Sequence, residues 1–242
     1  MKRILLFGLL VATGALAADD TWILREGQHR QTFATKDATN MHGGLLLFLP
    51  KGFEHGKWPL IVFLHGRGQV GDDPEILRKG GGLPKLVEVK PDFPFIVASP
   101  QLVKAASNFD PAALNDFLEQ LLARLPMVDL DRVYVSGLSM GAKAGLDWAA
   151  TSPDRMVALL PVANRIEADR ACALKSVPIW AFHNDKDPVV PVSEVRKLTA
   201  AVQACGGSMK LTVFPDRPAH DAWNRAYATP EVYEWLLSHR RK

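Results

Sequence analysis

The sequence predicts an α/β fold, a mostly parallel central sheet of about eight strands with helices on both faces. Three observations carry the prediction. Short apolar, β-rich runs alternate with amphipathic stretches from about residue 44 onward. Several of these runs are apolar without interruption, as strands covered on both faces are. Repeated strand–helix–strand passages need crossovers, which parallel pairing accommodates.

The elements follow in chain order. Segments near Arg30–Phe33 and Leu45–Leu49 are joined by a short polar link and are expected to enter the sheet as an antiparallel pair. Further strands are predicted at Leu60–Leu64, Phe95–Ser99, Val133–Ser136, Val157–Val162, Ile179–Phe182 and Leu211–Phe214. Helices are predicted at Ala112–Leu125, Met140–Thr151, Val192–Cys205 and Pro230–His239. In the first of these, Leu114, Phe117, Leu118, Leu121, Leu122 and Leu125 recur every three or four residues and make one core-facing stripe. Asp110-Pro111 supplies its cap and a first-turn proline. Gly206-Gly207 stops the Val192 helix. No repeat, low-complexity tract or linker divides residues 18–242, which read as a single domain.

Composition narrows the function. Of 242 residues, 48% are hydrophobic and 23% charged, which is ordinary for a globular chain. A formal charge of +3 with no basic stripe argues against nucleic acid or anionic membrane as a partner. Met1-Lys2-Arg3 precedes an apolar run from Ile4 to Leu16, and Ala15-Leu16-Ala17 fits a small-x-small cleavage site. Residues 1–17 therefore read as a secretory signal peptide, and the protein is expected to be secreted or periplasmic. The run is shorter than the ~20 residues of a spanning helix, so no stable membrane anchor is expected. Loss of Lys2 and Arg3 lowers the charge from +3 to +1. Cys172 and Cys205 flank one βα unit, and an oxidising compartment favours a bridge between them over two separate thiols.

The stretch "VYVSGLSMGAK" places Ser139 between Gly137 and Gly141, after a strand and before a helix. This is G-x-S-x-G in its strand–turn–helix setting. Such a turn strains the central residue, and glycines two positions either side let strand and helix approach. The hydroxyl is then lifted to a helix N-terminus, where developing negative charge is favoured.

A serine hydroxyl is a poor nucleophile until a base takes its proton and an acid orients that base. The chain order on such a sheet is serine, acid, histidine. The segment after Ile179–Phe182, "HNDKDPVVP", offers two acids, Asp185 and Asp187, which the pattern leaves unresolved. His220 follows the last strand, where a general base would hang. "HGRG" after Leu60–Leu64 allows a backbone N–H to point at the nucleophile, and the Met140 N–H is the second donor of an oxyanion hole. His65 itself reads as a ring hydrogen-bonded beneath that loop. A metal set from His183, Asp185 and Asp187 lacks ligand spacing, and no cofactor is required.

Together, "LPKGF", "FLHGRGQVGDD", "ASPQ", "VYVSGLSMGA", "AFHNDKDPVVP" and "AHDAW" through "EVYEWLL" resemble the α/β-hydrolase superfamily. The chain is similar in particular to its dienelactone-hydrolase-like and phospholipase/carboxylesterase-like exported esterases, some of them labelled predicted peptidases. The resemblance runs from Leu45 to Leu237. It implies an α/β-hydrolase fold with little or no lid, Ser139 as nucleophile, His220 as base, Asp187 as acid, and backbone donors at Arg67 and Met140. Ala219 stands where relatives have glycine. "KAASNFD" and Asn164-Arg165 also depart from the usual pattern, and these differences bear on the pocket.

The expected activity is a serine carboxylesterase acting on a small-molecule or polymeric ester. The alternatives are a serine peptidase, a polyester depolymerase or polysaccharide acyl esterase, and a non-enzymatic binding protein. Arg67, Phe109, Lys143, Asn164, Arg165 and Trp223 are the candidate pocket residues.

Overall fold

The computed structural model describes residues 22, 24–35, 40–164 and 168–241; the expected leader and Arg165 lie outside them. Eight strands form one sheet: β1 (Gly27–Ala34), β2 (His42–Leu49), β3 (Trp58–Leu64), β4 (Ile96–Pro100), β5 (Val128–Leu138), β6 (Ala158–Val162), β7 (Ile179–Asn184) and β8 (Met209–Phe214). Their order across the sheet is β1-β2-β4-β3-β5-β6-β7-β8. β1 pairs antiparallel with β2, and β2 antiparallel with β4; every other pair is parallel. This is the mostly parallel sheet that the apolar runs predict.

Alternation along each strand divides the core in two. Leu60, Val62 and Leu64 of β3 face one side, with Val133 and Val135 of β5. Ile61 and Phe63 face the other, with Tyr134. The first side is covered by α2 (Pro111–Arg124), α3 (Met140–Thr151) and α4 (Val192–Ala204). The second is covered by α1 (Leu83–Leu86), α5 (Trp223–Ala226) and α6 (Glu231–Leu237). The predicted stripe of α2 is the buried one, with Leu114, Phe117, Leu118 and Leu121 at 2% exposure or less. Burying each such side chain contributes roughly 1.5–3 kcal/mol. Asp110 caps α2 by accepting from the Ala112 N–H at 2.7 Å, with Pro111 at the first position.

Three features were not in the periodicity. α1 and α5 are single turns of four residues, too short to show a helical repeat. α5 interrupts what reads as a loop after β8. β5 starts at Val128, five residues before its apolar run, because Trp58 pairs with Val128 across a register shift. A disulfide joins Cys172, in the 3-10 turn Ala168–Leu174, to Cys205 at the end of α4. Among the described residues no helix is long and apolar enough to cross a membrane.

Parallel pairing aligns the carboxyl ends. Leu64 lies opposite Gly137, Leu138 opposite Val162, and Asn184 opposite Phe214. The turns after β3, β5, β6, β7 and β8 therefore gather along one edge of the sheet, where ligands meet such folds.

Candidate active site

Ser139 is the residue between β5 and α3, with φ 52° and ψ −115°. That conformation lies in the left-handed half of backbone space, which costs a non-glycine residue of order 1–3 kcal/mol. The flanking glycines show why it can be held. A Cβ on Gly137 would come within 2.5 Å of the Gly141 backbone, and one on Gly141 within 2.0 Å of the Leu64 carbonyl oxygen. Strand and helix touch through bare backbone at both positions. The Ser139 N–H is tied to the Val162 carbonyl at 2.9 Å, so β6 fixes the turn from the side.

His220 reaches this hydroxyl from the segment after β8. Its Nε2 lies 2.8 Å from Ser139 Oγ, and its Nδ1 2.7 Å from Asp187 Oδ2. A carboxylate only accepts, so Nδ1 carries the proton and Nε2 is left as the acceptor for the serine O–H. Asp187 has no exposed side-chain surface. Its other oxygen, Oδ1, accepts from the Val189 and Val190 N–H groups at 2.8 and 2.9 Å. Those bonds leave Oδ2 aimed at the imidazole.

The two acids that the sequence leaves open have different positions. Asp185 faces away from His220 and accepts from the Asp216 and Arg217 N–H groups at 3.0 and 3.1 Å. These bonds, the Asp216 one foremost, hold its carboxyl below the usual range. His183 lies beneath the same loop, fully buried, with Nε2 donating to the Val190 carbonyl at 2.9 Å and 3.7 Å from Asp187 Oδ2. Burial pushes its pKa down, so it is a neutral prop rather than a second charge.

His65 is equally buried. Nδ1 donates to the Gly66 carbonyl at 2.7 Å, and Nε2 accepts from the Leu102 N–H at 3.0 Å. Burial lowers its pKa to about 4, and the ring ties the loop after β3 to the end of β4. No hydrogen bond from the Arg67 or Met140 backbone N–H is found among the described residues, and both residues line the cavity that holds Ser139.

A cavity of about 630 Å³ opens over Ser139 and His220, with Arg67, Asn108, Lys143, Ala163 and Val189 among its walls. Lys143 is there as expected, but its ammonium is held at 2.6 Å by Asp147, which Arg170 also meets at 2.5 Å. The Arg67 guanidinium bonds the Ser107 carbonyl at 2.9 Å. Three expected pocket residues are corrected. Phe109 is 1% exposed and packs edge-on against His65 at 5.1 Å, as core. Asn164 is wholly buried behind Ala163. Trp223 does not line this cavity; it stands edge-to-face on His220 at 5.3 Å and lines a neighbouring recess of about 290 Å³ with Gly81, Leu86 and Tyr227. The sequence missed Asn108 and Val189, which sit on turns with no chemical signature.

The sequence pattern of the dienelactone hydrolase family matches residues 99–231, more than half of the chain. The chain belongs to the dienelactone hydrolase family. The match spans Ser139, Asp187 and His220 together. No curated protein matches the chain. Solved structures agree on the fold that this family membership carries. A thermostable esterase is 26% identical with a TM-score of 0.76, over 88% of this chain and 63% of its own. The chain thus spans under two thirds of that esterase. An acylaminoacyl peptidase from Pyrococcus horikoshii is 15% identical with a TM-score of 0.67, over 90% of this chain and 42% of its own. A thermophilic esterase from Thermogutta terrifontis is 17% identical with a TM-score of 0.59, over 88% of this chain and 89% of its own.

Proposed function

We propose that this dienelactone hydrolase family member is an exported serine esterase that cleaves carboxylic esters of small to medium acyl groups through an acyl-enzyme on Ser139. The observation that carries the reading is the unbroken chain Ser139 Oγ, His220, Asp187, with contacts of 2.8 and 2.7 Å.

The mechanism follows from the tautomer. Oγ attacks the ester carbonyl as its proton passes to His220 Nε2. The carbonyl π electrons move to oxygen, and the Arg67 and Met140 N–H groups receive that oxyanion. Each such donor contributes about 2.7–4 kcal/mol to the barrier reduction in comparable sites. The imidazolium forms against buried Asp187, which stabilises it without taking its proton. The tetrahedral centre collapses, the C–O bond to the alcohol breaks, and Nε2–H protonates the leaving oxygen. Water then repeats the sequence on the acyl-enzyme and releases the carboxylic acid.

The open cavity supports a small or medium acyl group. The thermostable esterase, 26% identical over most of this chain, supports an ester over an amide substrate. Comparison of a p-nitrophenyl acyl series with peptide anilides on the purified protein tests this. Turnover confined to the anilides would replace the esterase reading with a peptidase. We read residues 1–17 as the exported protein's leader, and N-terminal sequencing of the protein from culture medium or periplasm should begin at Ala18.

A further inference from the structure

A general base on a loop must be held from outside its own ring if it is to stay 2.8 Å from a hydroxyl. In this chain the holding group is Asn184, the last residue of β7. It is wholly buried. Its Nδ2 donates to the Ala219 carbonyl at 2.7 Å and to Asp221 Oδ1 at 3.0 Å, one bond to each neighbour of His220. Its own Oδ1 has no partner among the described residues, so the bonds this side chain makes go to that loop. Asp221 is in turn fixed by Arg217, whose Nε reaches Oδ1 at 3.1 Å while Nη2 bonds Oδ2.

Trp223 also packs on the imidazole, edge-to-face at 5.3 Å and 87°. The indole has its place because residue 81 is glycine: φ there is +88°, and a Cβ would come 2.9 Å from Trp223 Nε1. The two neighbours of His220 are thus held by a buried amide, and its ring meets an indole seated on bare backbone.

We propose that Asn184 is a positioning residue for the general base, its amide setting where His220 stands over Ser139 by holding Ala219 and Asp221 together. This rests on His220 being the base of the esterase reading. Both atoms facing the amide are acceptors, so a donor is required at that point and shape alone is not enough. Asn184→Asp has nearly the same volume but presents a carboxylate to a carbonyl and a second carboxylate.

The test is steady-state hydrolysis of p-nitrophenyl acetate by the full chain, with fluorophosphonate labelling of Ser139 alongside. Asn184→Ala should lower kcat about 10–100-fold with little change in KM, because a displacement of an ångström at a reacting group costs that much. Asn184→Asp should be slower still. Asp221→Asn, which keeps the Oδ1 acceptor, should recover most of the rate that Asp221→Ala loses. In proton NMR the wild type should show a far-downfield His220 Nδ1 proton, and this signal should broaden in Asn184→Asp. Should the Asn184 variants fail to fold, Asp221→Ala opens the same grip from the solvent side and must slow turnover. A wild-type kcat in Asn184→Asp or Asp221→Ala overturns the positioning role while the esterase reading stands. A wild type inert to both ester and fluorophosphonate overturns both.

Discussion

Ser139, His220 and Asp187 each carry a single function in the proposed chemistry, and single substitutions separate those functions. Ser139→Ala removes the nucleophile and should cut ester turnover by at least about a thousandfold. Its melting temperature should stay at or above the wild-type value, since alanine loses no packing at this turn. Asp187→Asn keeps the shape but offers His220 the wrong tautomer, and a fall in kcat of about 10⁴-fold is expected from the same change elsewhere. Asp185→Asn should cost far less, because Asp185 bonds the backbone of residues 216 and 217 and not His220. Measuring kcat for this pair side by side checks the assignment of the acid. The sequence could name Ser139 and His220 because a glycine-flanked turn and a histidine after the last strand are local signals. The local pattern could not choose between Asp185 and Asp187, which only the family resemblance separated, because the choice is made by which carboxylate the Val189 and Val190 N–H groups hold. Phe109, Asn164 and Trp223 were misplaced for a related reason. Burial of a turn residue depends on which elements close over it, and nothing in one chain segment records that.

Elements impose their own constraints. Gly141 lies where α3 meets β3, with the Leu64 carbonyl 2.0 Å from any added Cβ. Gly141→Ala should therefore destabilise by roughly 3 kcal/mol or more, at or beyond the usual range for overpacking. Urea unfolding of the variant would read this directly, and an unchanged midpoint would mean that strand and helix are not in such close contact. The Cys172–Cys205 bridge closes a 33-residue separation between a 3-10 turn and the end of α4. Cys172→Ser with Cys205→Ser should lower stability by about 2–4 kcal/mol, the range expected from restoring freedom to the unfolded loop. Strand β1 was legible as the antiparallel entry to the sheet, β2 to β8 as short apolar runs, and helices α2, α3, α4 and α6 as amphipathic stretches between or after them. The single turns α1 and α5 were not, having too few residues to repeat anything. Yet α5 is the element that brings Trp223 to the base, so the unreadable part of the fold lies close to the chemistry.

At the scale of the whole molecule, two buried neutral histidines set an acid limit on stability. His65 has its pKa lowered to about 4 by burial, and His183 is lowered for the same reason. Unfolding frees both rings to titrate near 6.5. Below that value the unfolded chain binds protons that the folded chain refuses, so stability falls as the pH drops from about 6.5 towards 4. His65 alone accounts for something on the order of 3 kcal/mol across that window. Melting temperatures recorded at intervals between neutral and acid pH should decline through this range, and His65→Gln should flatten the decline.

A hydroxyl near the carboxyl end of β5 has a consequence of a different kind. Ser136 Oγ donates to the Leu160 carbonyl at 2.9 Å and meets the Tyr227 hydroxyl at 2.8 Å, while Tyr233 donates to the Tyr227 carbonyl at 2.7 Å. The strand that delivers the reactive serine is thus laced to the tail of the polypeptide, through the stretch that also shoulders the imidazole. A protease nick near residue 222 would unpick that lacing, and because α5 and α6 also cover one face of the sheet, ester turnover and melting temperature should fall together.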